Sequence, residues 1–285
     1  MSFGAHLIPQ RTTLLVLLVP LLAVVAGTRF PRPDPTGWKL AWSDEFNGAN
    51  GSLPDSSKWS IETGGNGWGN EELEAYTNRT ENVQQRNGYL VITARKESFA
   101  GPDKIERSYT SARIQTKGKF QAAYGRFEAS MRLPSGKGMW PAFWLLGNDV
   151  DKVGWPKCGE IDIMENIGDP RVIYSTLHGP GYSGGKGPST RYLLPAGASV
   201  DSAFHRYSLE WSPKEIQFYF DDNLIVERTP DSLPPGTHWV YDHPFFLLLN
   251  LAIGGKWPGS PDEKTNFPQS LLVDYVRVYV RKSGQ

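Results

Sequence analysis

The hydrophobic pattern of this 285-residue chain changes character once, near its beginning. Residues 14–26 form one apolar run, whereas from residue 38 onward apolar residues come in short stretches with the two-residue period of β-strands. Residues 89–95 follow an Asn87-Gly88 turn, and residues 112–120 and 124–133 read as two strands paired through a turn at 121–123. Residues 138–146 and 245–253 are continuously apolar, as in central strands covered on both faces. Strands are also predicted at 172–177 and 205–211, with a hairpin over 215–227 turning at Asp221–Asn223. Residues 271–280 alternate strictly, with Val273, Tyr275, Arg277 and Tyr279 opposed to Leu272, Asp274, Val276 and Val278. No heptad, internal repeat or long helical pattern interrupts this texture, so one all-β domain over 38–281 is expected, a sandwich or barrel of antiparallel strands.

The apolar run at 14–26 reads differently. Arg11 is the only charged residue among positions 1–27, and the run ends in small residues with Val24 and Ala26 placed for cleavage. Residues 1–27 are therefore expected to be a secretory signal peptide, too short for a comfortable transmembrane helix. Residues 28–37 form a Pro-rich lead-in. The expected destination is outside the cell or in the periplasm, with no membrane attachment once the signal is removed. Net charge is zero, which gives no electrostatic reason to expect a nucleic-acid partner. Cys158 is the only cysteine, so no internal disulfide is available, and it reads as a small buried filler. Ten tryptophans are many for a chain of this length.

The candidate chemistry lies in residues 159–166 (GEIDIMEN). Glu160 and Asp162 alternate with Ile161 and Ile163, which gives one wet and one buried face. Strict alternation would put Glu165 on the isoleucine side, where an unpartnered carboxylate is costly. A one-residue bulge near Ile163-Met164 resolves the conflict by returning Glu165 to the face of the other two acids. Such crowding suits an acidic solvated strand, a cation site, or the paired carboxyls of glycoside hydrolysis, which stand ~5–5.5 Å apart when configuration is retained. The acid motif alone does not choose among these.

The wider sequence does. Residues 42–46 (WSDEF), 70–73 (NEEL) with Tyr76-Thr77, 88–92 (GYLVI), 111–114 (SARI), 138–144 (GMWPAFW), 160–165, 176–179 (TLHG), 250–255 (NLAIGG) and 273–278 (VDYVRV) together resemble the family 16 glycoside hydrolases, in their laminarinase (endo-β-1,3-glucanase) branch. The resemblance spans nearly all of residues 38–281. It implies a jelly-roll β-sandwich of two antiparallel sheets with a concave cleft, acting on a β-glucan polysaccharide without a catalytic cofactor, as a monomer. It also implies Glu160 as nucleophile, Glu165 as general acid/base and Asp162 as the group that tunes both. The longer acid motif, with its extra residue before the last Glu, is similar to laminarinases and unlike strict mixed-linkage lichenases. A transglycosylase, a hydrolase of another β-glucan or galactan, and a non-catalytic glucan lectin are the competing readings of the same fold.

By the same resemblance Trp140 and Trp144, four apart on one strand, shape sugar subsites, and Trp155 and Trp257 reach the cleft from loops. His178 is expected beside the acid/base, and Asn70, Arg113 and Asn250 at sugar hydroxyls. Trp38, Trp42, Trp59 and Trp211 are left for the core and turns. Members of the family often carry one structural calcium on the convex face, which here would take the carbonyls of Glu45 and Gly88 and the side chain of Asp274, hard oxygen donors of the kind calcium prefers. Asp274 is also unusual in its own right, an acid expected on one strand face with Leu272 and Val276.

Overall fold

A computed structural model describes residues 37–282; the expected signal peptide and nearly all of the lead-in lie outside the described residues. In chain order the strands are β1 (Trp38–Asp44), β2 (Ser60–Glu62), β3 (Glu74–Tyr76), β4 (Val83–Arg86), β5 (Tyr89–Ala100), β6 (Glu106–Ser111), β7 (Arg113–Gln115), β8 (Gly125–Arg132) and β9 (Met139–Gly147). They continue as β10 (Glu160–Glu165), β11 (Val172–His178), β12 (Ser189–Leu193), β13 (His205–Ser212), β14 (Glu215–Phe220), β15 (Asn223–Arg228), β16 (Phe245–Ile253) and β17 (Gln269–Arg281). The only α-helix among the described residues is the single turn Val150–Val153.

The strands form two sheets. The larger has ten strands and runs β15-β14-β13-β8-β17-β5-β6-β3, with β1 also paired to β17 and β4 to β5. The smaller has seven and runs β12-β11-β10-β9-β16-β7-β2. Pairing is antiparallel throughout except between β3 and β6, which are parallel. The core lies between the two sheets. Phe127, Ala129 and Met131 of β8, Leu209 and Trp211 of β13, and Val276 and Val278 of β17 meet Phe143 and Leu145 of β9, Ile161 and Ile163 of β10, and Leu247, Leu249 and Leu251 of β16. Each such aliphatic or aromatic side chain contributes about 1.5–3 kcal/mol by leaving water. Trp38, Trp59 and Trp211 are buried and Trp42 packs against the core, as the sequence suggests.

Two expectations need correction. Residues 112–120 and 124–133 do not form a hairpin. Only Arg113–Gln115 is a strand, and it pairs with β16 and β2 in the smaller sheet, while β8 pairs with β13 and β17 in the larger. Between them the backbone N–H groups of Lys119 and Phe120 turn back onto the Thr116 carbonyl, and the chain crosses from one sheet to the other. Likewise β17 does not alternate strictly. Val273 opposes Met131 and Tyr275 opposes Ser130, so Asp274 is an extra residue in a bulge. Past the bulge Val276 and Val278 face the core, so Asp274 does not share a face with Val276.

Candidate active site

The smaller sheet positions the acids, because β10 is held between β9 and β11. Asp162 opposes Trp144 and Met164 opposes Phe143, leaving Ile163 as the one extra residue against β9. The Ser175 hydroxyl donates to the bulged Ile163 carbonyl at 2.9 Å. Ile161, Ile163 and Met164 all go to the core, and Glu165 returns to the side of Glu160 and Asp162. The parity conflict read from the sequence is resolved where the sequence places it.

Register then lays out the floor around the acids. On β9, Leu146, Trp144 and Ala142 stand opposite Glu160, Asp162 and Glu165; on β11, His178, Thr176 and Tyr174 do so. Beyond β9, Asn250 of β16 opposes Ala142 and in turn Arg113 of β7. The two outer acids each accept an indole N–H. Trp155 Nε1–H donates to Glu160 Oε2 at 2.8 Å, and Trp140 Nε1–H donates to Glu165 Oε1 at 2.9 Å. His178 Nε2 lies 3.1 Å from Asp162 Oδ2 and 3.8 Å from Glu160 Oε1.

Burial and like charge push all three carboxyls upward. Glu160 is raised to about 8, by burial first and then by the charge of Asp162, against the pull of His178 and the Trp155 N–H. Asp162 is also raised to about 8, by burial. Glu165 is raised well above the ordinary range, by burial and then by Asp162. Glu160 and Asp162 reach the same value as a pair, so between the ordinary range and about 8 they hold one proton between them. The Glu160 side chain keeps 17% exposure and accepts the Trp155 N–H, while His178 lies nearer Asp162, which is hydrogen-bonded to Glu160, so the negative charge belongs to the pair. Burial and the neighbouring Asp162 favour the neutral form of Glu165. One strand thus presents an ionised and a neutral carboxyl side by side, the division of labour that general-acid-assisted displacement needs.

Aromatic side chains wall this floor. Trp257 meets Trp140 edge-on, with ring centroids 5.7 Å apart, and Tyr174 at 4.8 Å. Trp155 flanks His178 at 6.2 Å, at the Glu160 end. Arg113 is clamped between two indoles, its guanidinium carbon 4.8 Å from the ring centroids of both Trp68 and Trp144, and its Nε–H donates to Glu62. A hydrogen-bond chain runs from Trp144 Nε1 to Asn250 Oδ1 at 2.8 Å, from Asn250 Nδ2 to the Tyr76 hydroxyl at 3.2 Å, and from that hydroxyl to Glu72 Oε2 at 3.0 Å. Asn70 donates to the other oxygen of Glu72. Gly255, at φ +109°, passes close to the Asn70 carbonyl and to the Trp140 ring, where a side chain would crowd both. Aromatic walls with a few fixed polar groups are the make-up of a small-molecule or sugar cleft.

Residues 70–277 match the family described as Glycosyl hydrolases family 16. The chain belongs to that family. It is 44% identical over 272 residues to the Beta-glucanase of Rhodothermus marinus, covering 91% of this chain and 92% of that protein. It is 39% identical to a Glucan endo-1,3-beta-glucosidase of Cryptopygus antarcticus, over 84% of this chain and 91% of that one. The crystal structure of an endo-beta-1,3-glucanase from Pyrococcus furiosus superposes with a TM-score of 0.82 at 47% identity, covering 87% of this chain and 96% of that chain. The jelly-roll sandwich expected from the sequence is the fold of this family 16 domain.

Within this family 16 cleft the structure gathers Glu160, Asp162, Glu165, Trp140, Trp144, Trp155, His178, Asn70, Arg113, Asn250 and Trp257 around one sheet face and its loops. His178 stands at Asp162 and Glu160, across the strand from Glu160, rather than at the acid/base. Trp68, Tyr174, Glu62, Glu72 and Ser175 were not singled out from the sequence. Trp68 lies in the glycine-rich stretch 64–69, which carries no strand periodicity, and Ser175 acts through a backbone atom that no side-chain motif records.

Two outcomes follow from this geometry. Replacing Ser175 by Ala removes the hydroxyl that holds the bulge and leaves a buried carbonyl short of a partner. Stability should fall by about 1 kcal/mol in denaturant unfolding, and kcat should drop about tenfold with KM little changed. An unaltered kcat would show that the bulge holds its shape without Ser175. The second outcome concerns pH. Between the ordinary carboxylate range and about 8, the folded Glu160–Asp162 pair keeps a proton that the unfolded chain releases, so its contribution to stability falls as pH rises through that window. Glu160→Gln should therefore raise the melting temperature increasingly from pH 4.5 to pH 8, with little difference below pH 4. A gap that is constant across this range would mean that Glu160 is not lifted.

Proposed function

We propose that this protein is a secreted endo-β-1,3-glucanase that cleaves internal bonds of laminarin-like β-glucans with retention of configuration. The observation that carries the chemistry is the bulge at Ile163, which returns Glu165 to the face of Glu160 and Asp162, where Glu160 can serve as the nucleophile and Glu165 as the acid. The relatives named for β-1,3-glucan cleavage, at 39% and 47% identity, support the choice of linkage. Export rests on the apolar run at 14–26, and no helix among the described residues is long and apolar enough to cross a membrane.

In the first step the Glu160 carboxylate attacks the anomeric carbon and forms a C–O bond, while the bond to the leaving oxygen breaks and that oxygen takes the proton of Glu165. Glu165, now ionised, next takes a proton from water, whose oxygen attacks the same carbon and releases Glu160. Two inversions give net retention. As Glu160 becomes an ester in the first step, the proton it shares with Asp162 stays on Asp162, so no new donor has to enter the site. The indole N–H of Trp155 orients the attacking carboxylate, and that of Trp140 orients the acid.

A structural calcium also fits. Val273 of β17 pairs with Leu90 of β5, while Val276 pairs with Asp44 of β1, so β5 and β1 meet end to end along β17. The bulged Asp274 sits at that junction, beside the turn at Gly88 and the residue after Asp44. The carbonyls of Glu45 and Gly88 with the Asp274 carboxylate would hold the ion; the Glu45 carboxylate itself is engaged by Arg277 at 2.8 and 2.7 Å. Bound there, calcium would tie three strand ends together on the sheet opposite the cleft and take no part in catalysis.

Glu160→Ala should abolish hydrolysis of laminarin, and azide should restore cleavage of an activated β-glucoside as an α-glycosyl azide. NMR of the first products of the wild-type enzyme should show the β anomer; α product would exclude double displacement. For calcium, a chelator should lower the melting temperature of the wild type, and Asp274→Ala should melt lower and lose that response. A melting point that thorough chelation leaves unmoved would remove the calcium site.

A further inference from the structure

The outer face of the ten-stranded sheet carries a cavity of about 570 Å³, on the side of the sandwich away from the acids. Its floor is a row across three adjacent strands. Arg132 of β8 opposes Leu272 of β17, and Leu272 opposes Val91 of β5. Strands lie ~4.8 Å apart, so this row is about 10 Å across. Two residues along β5, Tyr89 stacks on Phe204 with ring centroids 5.0 Å apart and 22° between planes. The floor is thus apolar and aromatic.

The rim is polar and mostly fixed. Asp201 Oδ2 accepts the Ser135 hydroxyl at 2.6 Å, and Gln269 Nε2 donates to the Ser135 carbonyl at 2.6 Å. Arg86 and Arg132 both line the cavity, and neither guanidinium forms an ion pair among the described residues. Planar donors beside a carboxylate and amides, around an aromatic and aliphatic floor, match the two surfaces of a pyranose: an apolar C–H face and an edge of hydroxyls that both donate and accept. An anionic ligand would be satisfied by the arginines but would meet the Asp201 carboxylate, so a neutral sugar suits the whole rim better. The volume falls within the usual range for a ligand site.

We propose that this cavity is a second β-glucan-binding site, separate from the cleft and non-catalytic. The proposal rests on the reading of the protein as a β-1,3-glucanase. Because the two sites face opposite ways from one sandwich, they engage different stretches or different chains of the polymer. Binding at the outer site then raises the local concentration of glucan at the cleft. The benefit appears only with polymers, since a short oligosaccharide cannot use both sites at once.

The test separates this site from the cleft. Inactive Glu160→Gln protein, with and without Arg86→Ala, Arg132→Ala and Tyr89→Ala together, is measured for retention on insoluble β-1,3-glucan. The same triple substitution in active enzyme is assayed on a β-1,3-gluco-tetrasaccharide. Retention should fall about tenfold, while kcat/KM on the tetrasaccharide stays at the wild-type value. Equal retention in both proteins overturns the outer site. If the wild type itself fails to cleave the tetrasaccharide, the proposed function fails instead, and that arm does not depend on the outer residues. As a measurement independent of the substitutions, soluble β-1,3-glucan added to Glu160→Gln protein should slow amide exchange at residues 86–91 as well as at β10. Protection at β10 alone would also overturn the proposal.

Discussion

The repulsion and burial of three carboxyl groups on the six residues of β10 is the constraint around which this structure is arranged. Left in a regular strand, the third acid would face an apolar core, and on the wet face three charges would oppose one another. The extra residue at Ile163 removes the first problem, and the second is met by raising all three carboxyls above their ordinary range. Burial and mutual repulsion allow the trio fewer than three charges, and the surrounding donors decide where the charge sits. Trp155 donates to Glu160 and Trp140 to Glu165, so the two outer acids are oriented by different donors that belong to the fold itself.

The second layer of the cleft is built the same way, with each polar group held by a neighbour that is itself held. Arg113 is not a solvated surface charge, because Trp68 and Trp144 sandwich its guanidinium and Glu62 accepts its Nε–H. Its position passes to Asn250 through Trp144, and on to Tyr76 and Glu72. Behind them Glu74 is fully buried and raised well above the carboxylate range, by burial first and then by Glu72, while its Oε2 accepts the Ile253 N–H at 2.7 Å. Glu74 is therefore held as a neutral acid that fastens β3 to the end of β16, and it fixes the loop that presents Asn70. Sites that recognise hydroxyls need such fixed partners, because ordering a loose side chain on binding costs about 0.5–1.5 kcal/mol each.

What the sequence disclosed depended on whether its signal was local. The bulge in β10 was legible because charge and apolar residues conflict within six positions, and a buried unpaired acid is too costly to leave standing. The bulge in β17 was not, because both parities of residues 271–280 contain apolar side chains, and Tyr275 or Val276 could fill a core equally well. Residues 112–120 looked like half of a hairpin because a short connection to the next strand suggests pairing. Which sheet a strand joins is fixed by distant partners, here Leu248–Asn250 and Ser60–Glu62, and periodicity carries no such information. The resemblance supplied the cleft residues that patterning could not, yet it set His178 at the wrong end of the acid row.

The position of the acids within the sheet also has an energetic reason. Three lifted carboxyls, a buried neutral Glu74 and a stretched strand register all weaken the fold where they occur, as functional groups held away from their preferred ionisation must. Such a burden is tolerable only beside elements with stability to spare. β10 is flanked by β9 and backed by the wholly buried β16, whose Leu247, Leu249 and Leu251 reach into the core shared with the larger sheet. On the cleft side Leu146, Cys158, Phe246 and Leu248 form a second apolar cluster under the Glu160 end, where the thiol of Cys158 is pushed up to about 11 by burial and by the charge of Glu160. That cysteine is a buried thiol held neutral. Burial comes first at both Glu165 and Cys158, and the carboxylates of β10 add to it, so the same strand favours the neutral form of the acid and of the thiol packed beneath it.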